Sequence, residues 1–136
     1  MGASTVIQSY YDAFNRGDVS AFLDLLVDDV VHDINQGERE IGKDAFRAFL
    51  NRMNRSYREK LIDIVIFESQ DGTRGAVEFV VNGQYLATDE GMPEAIGQDY
   101  VLPAGAFFDV RDGKVARVTN YYNLKDWIAA VTEASK

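Results

Sequence analysis

Apolar side chains recur along this chain with two different periods, and the switch between them divides it into a helical part and a strand part. Ile7, Tyr10, Tyr11 and Phe14 recur at helical spacing, which predicts an amphipathic first helix. Thr5 followed three residues later by Gln8 has the form of a capping box, and Gly17 is placed to close the helix. Asp18 then caps a second helix carrying Phe22, Leu23 and Leu26. Residues 30–35 read as a short strand ended by Gln36-Gly37. Phe46, Phe49, Leu50, Met53 and Tyr57 lie at i, i+3, i+4, i+7 and i+11, the stripe of a third helix.

After Tyr57 the period becomes strand-like. Residues 61–68 are rich in β-branched side chains, and Asp71-Gly72 signals a hairpin. Residues 74–88 and 100–111 read as long strands, Asp112-Gly113 turns the chain into a further strand at 114–123, and a short helix is expected over 124–131. Residues 89–97, with two glycines and a proline, read as a loop near the sheet's open end and a candidate lid. No repeat or linker interrupts the pattern, so one domain over 1–136 is expected. The order of elements is an α+β plan. A strongly twisted, mixed or antiparallel sheet curls into a cone, and three N-terminal helices can cover only its concave side. The short C-terminal helix completes a fold whose cavity suits a small molecule. Residues 61–67 are apolar on both faces apart from Asp63, which predicts a homodimer through the outer sheet face.

Composition removes several classes of function. The 136 residues carry 14 basic and 22 acidic side chains, a formal charge of −8. Phosphate binding needs clustered Lys and Arg, whereas Arg47, Arg52, Arg55 and Arg58 spread around the third helix as a solvated face. No nucleic-acid partner is expected. No membrane partner is expected either, because no apolar run approaches the ~20 residues of a span. The stretch Met1-Gly2-Ala3-Ser4-Thr5 has neither basic residues nor an apolar signal core, so a cytoplasmic chain starting here is expected. With no cysteine and a single histidine, His32, thiolate chemistry and the common multi-histidine zinc sites have no basis. Asp28-Asp29 reads as a turn rather than a metal site. Phosphate-binding loops, dinucleotide fingerprints and serine nucleophile elbows are missing from the sequence.

The segments Val6 to Asp18, Leu26 to Asp33 and Ile41 to Phe46 resemble, in order, the opening of ketosteroid isomerases and SnoaL-type polyketide cyclases. So do the closing segments Arg111 to Arg117 and Tyr121-Tyr122-Asn123. These proteins belong to the nuclear-transport-factor-2-like superfamily, whose fold is the cone described above. More narrowly, His32-Asp33-Ile34-Asn35-Gln36-Gly37 and the run Tyr121 to Trp127 look like a ketosteroid-isomerase-related subgroup. In ketosteroid isomerases an aspartate base moves a proton α to a ketone, while a tyrosine and a neutral aspartic acid stabilise the enolate. The resemblance places the tyrosine at Tyr10 and, with one residue deleted in the preceding turn, the base at Asp33. The second oxyanion donor falls on Ala106, which cannot donate, so the substrate or the step must differ.

Each candidate has a bland alternative. His32 and Asp33 are neighbours in a strand, so only one points inward. Inward, Asp33 would have a raised pKa and serve as a general base; outward, it is a strand-end carboxylate bonded to the turn. His32 is either the inward titrating residue or a satisfied core histidine. Tyr10 is a carbonyl polariser or plain core. Tyr57, Tyr85, Tyr100 and Tyr122, with Phe108, are expected to line the cavity as ligand contacts. Asn120 is placed to orient a ligand carbonyl, and Trp127 to pack the last helix across the mouth. Glu78, mid-strand, is a cavity carboxylate or, by preference, an ion-pair partner of Arg74, Arg111 or Arg117; Asp63 poses the same choice. Cofactor-independent proton abstraction from an apolar carbonyl compound is the leading expectation. A hydrophobic-ligand-binding protein and a dimeric interaction module are the alternatives.

Overall fold

The first helix, α1 (Ala3–Arg16), begins one turn before the expected capping box. Its N-cap is Gly2, which has no capping side chain. The carboxylate of Glu68 takes over that role by accepting the Ser4 backbone N–H at 2.8 Å, an anion where the helix dipole favours one. Gln8 instead donates to Asp12, one turn on. The other local signals act as expected. Gly17 closes α1 in the left-handed conformation with φ 73°, and the Asp18 carboxylate caps α2 (Val19–Asp24) by accepting from the Ala21 N–H at 3.0 Å.

The computed structural model describes residues 2–134. After α2 come β1 (Leu26–Asp33), β2 (Arg39–Ile41), α3 (Lys43–Ser56), β3 (Tyr57–Glu68), β4 (Arg74–Tyr85), β5 (Asp99–Arg111), β6 (Lys114–Tyr122) and α4 (Leu124–Ala134). The six strands form one sheet in the order β2-β1-β6-β5-β4-β3. Only β1 and β6 run parallel; the other neighbours are antiparallel. Among the described residues no helix is long and apolar enough to cross a membrane.

Two departures from the sequence pattern matter for the site. Tyr57 does not extend the α3 stripe: it is extended, with φ −134° and ψ 145°, and opens β3. The helix stops there because the Ser56 carbonyl accepts the N–H groups of Leu86 and Ala87, just beyond β4, at 2.7 and 3.3 Å. Second, β3 carries a bulge between Ile62 and Val65, where Asp63 adopts φ 53°. Aspartate tolerates that left-handed backbone, so the exposed Asp63 marks a bend in the strand rather than a cavity carboxylate.

The concave face is packed under α1 and α2 by Val6, Ile7, Tyr10, Tyr11, Phe22, Phe79 and Phe108, all buried. The convex face is different. Ile62, Val65, Phe67, Val101, Phe107 and Tyr121 are all exposed, and Phe107 meets Tyr121 edge-on at 5.8 Å. Glu78 lies exposed on this face, between Val65 and Gly105 in the sheet register. It does not face the concave side, and among the described residues its expected partners pair with other acids within the chain. Arg74 and Arg117 both pair with Asp109, at 3.2 and 2.9 Å, and Arg111 pairs with Asp29 at 2.6 Å.

Candidate functional site

Alternation along β1 puts His32 inward and Asp33 outward. His32 is 2% exposed. Its ring stacks on Phe46 at 4.1 Å, nearly parallel, and meets Phe49 edge-on. The ring is therefore clamped between β1 and α3. Burial pulls its pKa down to about 4, because a charged imidazole would lose its hydration there. Asn120 Nδ2 lies 3.4 Å from its Nε2.

Asp33 is held by Arg39, which donates to both carboxylate oxygens at 2.7 and 3.0 Å, and by the Thr119 hydroxyl at 2.6 Å. The Arg39 hydrogen bond leads in keeping the Asp33 pKa below the ordinary carboxylate range. This is the opposite of the shift expected for an inward base. Tyr10 is buried against Tyr11, Phe22 and Phe108, on the other face of the sheet from the Asp33 carboxylate. The structure does not bring the two together. Phe108, 0% exposed, is likewise core.

The remaining expected residues converge at the far end of the concave face, beneath α4. Trp127 packs on Tyr57, Tyr85 and Tyr100, with ring centroids 5.0–6.0 Å apart. Tyr57 donates to the Asp89 carboxylate at 2.8 Å. The Tyr85 hydroxyl donates to the Pro93 carbonyl at 2.6 Å and accepts the Asp89 N–H at 2.9 Å. Two tyrosines thus pin the 89–97 loop to β3 and β4, and Gln98 ties it to α4 by donating to the carbonyls of Glu94 and Val131. Tyr122 shares the same space. Its hydroxyl lies beside the Asn35 amide and feels the charges of Glu59 and Asp89, and burial raises its pKa.

Sequence inspection missed the acid in this cluster. Glu59 projects from β3 on the same face as Tyr57 and Leu61, and Tyr100 donates a short hydrogen bond to its Oε2. Burial raises the Glu59 pKa, against the opposing effect of that bond. Tyr100 in turn has its pKa raised, first by burial and then by the Glu59 charge, and it accepts a hydrogen bond from Trp127. Gly83, the cross-strand neighbour of both Glu59 and Tyr100, makes the arrangement possible. A Cβ at Gly83 would collide with the Tyr100 ring, so only glycine lets the ring lie flat on β4 and reach Glu59. The signal was present in the alternation of Tyr57, Glu59 and Leu61. Running the helix stripe through Tyr57 hid it.

With this geometry in view, the similarities to other proteins fall into place. Residues 7–118 match the SnoaL-like domain family. The chain belongs to that family. It is 62% identical to a proposed polyketide cyclase from Pseudomonas putida, over 96% of this chain and 98% of that one, with a TM-score of 0.95. A proposed polyketide cyclase from a Silicibacter species is 54% identical, over 96% and 95% of the two chains, with a TM-score of 0.94. A nuclear-transport-factor-2-like protein from Burkholderia xenovorans shares the fold, with a TM-score of 0.72 at 17% identity over 98% and 95% of the chains. No curated protein matches the chain in sequence.

Proposed function

We propose that this SnoaL-like protein is a cofactor-independent enzyme moving a proton α to the carbonyl of a small apolar compound, at the α4 end of its concave face. The observation that carries the reading is the Glu59–Tyr100 pair: a half-buried carboxyl with a raised pKa, set among Tyr57, Tyr122 and Trp127. A carboxylate tuned upward is a stronger base near neutrality than a solvated one. In the proposed step Glu59 takes the α-proton, and the electron pair moves onto the carbonyl oxygen. The Tyr122 hydroxyl donates to the resulting enolate, in place of the donor that Ala106 cannot be. Return of the proton at another carbon gives isomerisation; attack of the enolate on a second carbonyl gives cyclisation, the chemistry named for the Pseudomonas and Silicibacter relatives.

Arg39 makes Asp33 a poor base, so the role first expected of Asp33 passes to Glu59. The test is deuterium uptake from heavy water at the α-carbons of a panel of cyclic ketones and ketosteroids, read by mass spectrometry. Exchange by the wild type that is lost in Glu59→Gln and kept in Asp33→Asn is the expected result. Exchange lost in Asp33→Asn alone would return the base to β1. No exchange with any ketone would favour the second reading, a hydrophobic-ligand-binding protein, which the missing donor at Ala106 supports. The apolar convex face supports a homodimer, as the double-sided strand predicts. Phe107→Asp, at 48% exposed Phe107, is expected to halve the molecular mass seen by sedimentation.

A further inference from the structure

Among the described residues, His32 Nδ1 and Glu40 Oε1 are both buried without a hydrogen-bond partner. They belong to cross-strand neighbours in the β1–β2 pair and lie 3.9 Å apart. A polar atom left unpaired in a dry site costs about 1–3 kcal/mol. Two such atoms facing each other are best served by a proton between them, which places the imidazole hydrogen on Nδ1. Nε2 is then an acceptor, matching the Asn120 Nδ2 at 3.4 Å. Phe46 stacks on one face of the ring and Phe49 meets it edge-on, so both rings of α3 restrict its orientation. The charged groups around the ring are Glu40 from β2 and Arg52 from α3, with Asp33 acting from the opposite face of β1. Burial and Arg52 keep it uncharged against the pull of Asp33, which leaves a single neutral tautomer to assign at neutral pH.

This order fixes the Asn120 side chain. One amide N–H is committed to His32, and Oδ1 is turned the other way. Asn120 lies on the concave side of β6, between Val118 and Tyr122 and opposite Ala106. Among the described residues its Oδ1 has no hydrogen-bond partner, and Ala106 has none to offer. Asn120 also lines an open groove of about 400 Å³ at the ends of β1 and β6, with Asp33, Ile34, Asn35, Arg39, Thr119 and Tyr121, and Asn35, which lies beside the Tyr122 hydroxyl, joins that groove to the ligand site. We propose that Glu40, His32 and Asn120 form a fixed polar relay whose outer end, the Asn120 amide oxygen, is a specificity-determining acceptor for the hydroxyl of an enolic or phenolic ligand. The inference rests on the ligand site of the previous subsection and names the class of compound that site prefers. A site built around an acceptor discriminates against a ligand that has no donor.

His32 is the chain's single histidine, so its imidazole nitrogens can be observed without assignment in 15N-labelled protein. Long-range 1H–15N correlation at neutral pH is expected to show the Nδ1–H tautomer, and Glu40→Leu to erode it. An Nε2–H tautomer in the wild type would overturn the relay whatever the ligand. Ligand preference is read with two bicyclic probes, 2-naphthol and 2-methoxynaphthalene, by quenching of Trp127, the chain's single tryptophan. The wild type is expected to favour 2-naphthol by about tenfold, and Asn120→Leu to bring the two probes together while still binding the ether. Equal affinities in the wild type would overturn the inference and leave the site in place. Binding of neither probe would overturn the ligand site itself, and the inference with it.

Discussion

The two ends of the concave face are built from similar residues and do different things. Under α1 and α2, Tyr10, Tyr11, Phe22 and Phe108 pack ring on ring, and burial raises the pKa values of Tyr10 and Tyr11. At the α4 end, Tyr57, Tyr85, Tyr100 and Tyr122 are equally aromatic, but their hydroxyls meet Asp89, Pro93, Glu59 and Asn35. The difference lies in the partners of the hydroxyl groups, not in the aromatic content. An aromatic cluster with no acid is core; the same cluster wrapped around a carboxyl whose pKa burial has raised is a place where protons can move.

The contrast makes its largest prediction at the packed end. Phe108→Ala, at a fully buried position, is expected to cost about 3–5 kcal/mol in denaturant unfolding. Tyr100→Phe, at the other end, leaves the Glu59 oxygen without its donor and should cost about 1–3 kcal/mol while changing exchange activity. The next effect comes from His32, between the two ends. Its folded pKa of about 4 lies below the unfolded value of about 6.5, so stability is full above pH 6.5 and falls as pH drops toward 4. The loss is about 3 kcal/mol when complete, and His32→Phe should flatten that part of the pH–stability curve. Gly83→Ala follows, at about 1–3 kcal/mol. Its added methyl pushes the Tyr100 ring off β4, so the Glu59 pKa should change along with stability. The smallest effect has the opposite sign. Glu59 has a raised folded pKa, so it weakens the fold as pH rises through that value. Glu59→Gln is therefore expected to stabilise the protein modestly at pH 8 and little at pH 4, measured by thermal unfolding at both.

How much of this was legible in the sequence depended on how local each cause was. Gly17, Asp18 and the Phe46–Met53 stripe act over a few residues, and each did what its chemistry implied. The α1 cap was misplaced because the capping group is Glu68, sixty-four residues away. The end of α3 was misplaced because it is set by N–H groups just beyond β4. Strand β2 was missed because its three residues, Arg39–Ile41, have no alternating apolar pattern; pairing with β1 makes it a strand. His32 and Asp33 could not be told apart by alternation alone, since that shows they differ without showing which is inside. Glu78 and Asp63 drew attention as charges in apolar strands, yet one is exposed on the convex face and the other bends a bulge. Glu59 drew none, because its importance comes from Tyr100 and Gly83 on two other strands.

The central claim, that the α4 end holds a carboxyl poised for proton transfer, is tested most directly by a side-chain 13C NMR titration of Glu59 in the intact protein, with Asp33 as the internal comparison. Glu59 titrating above the ordinary glutamate value, while Asp33 titrates below the ordinary aspartate value, is the predicted result. Glu59 titrating at or below the ordinary value would contradict the claim and leave the tyrosines around it as a second stretch of core.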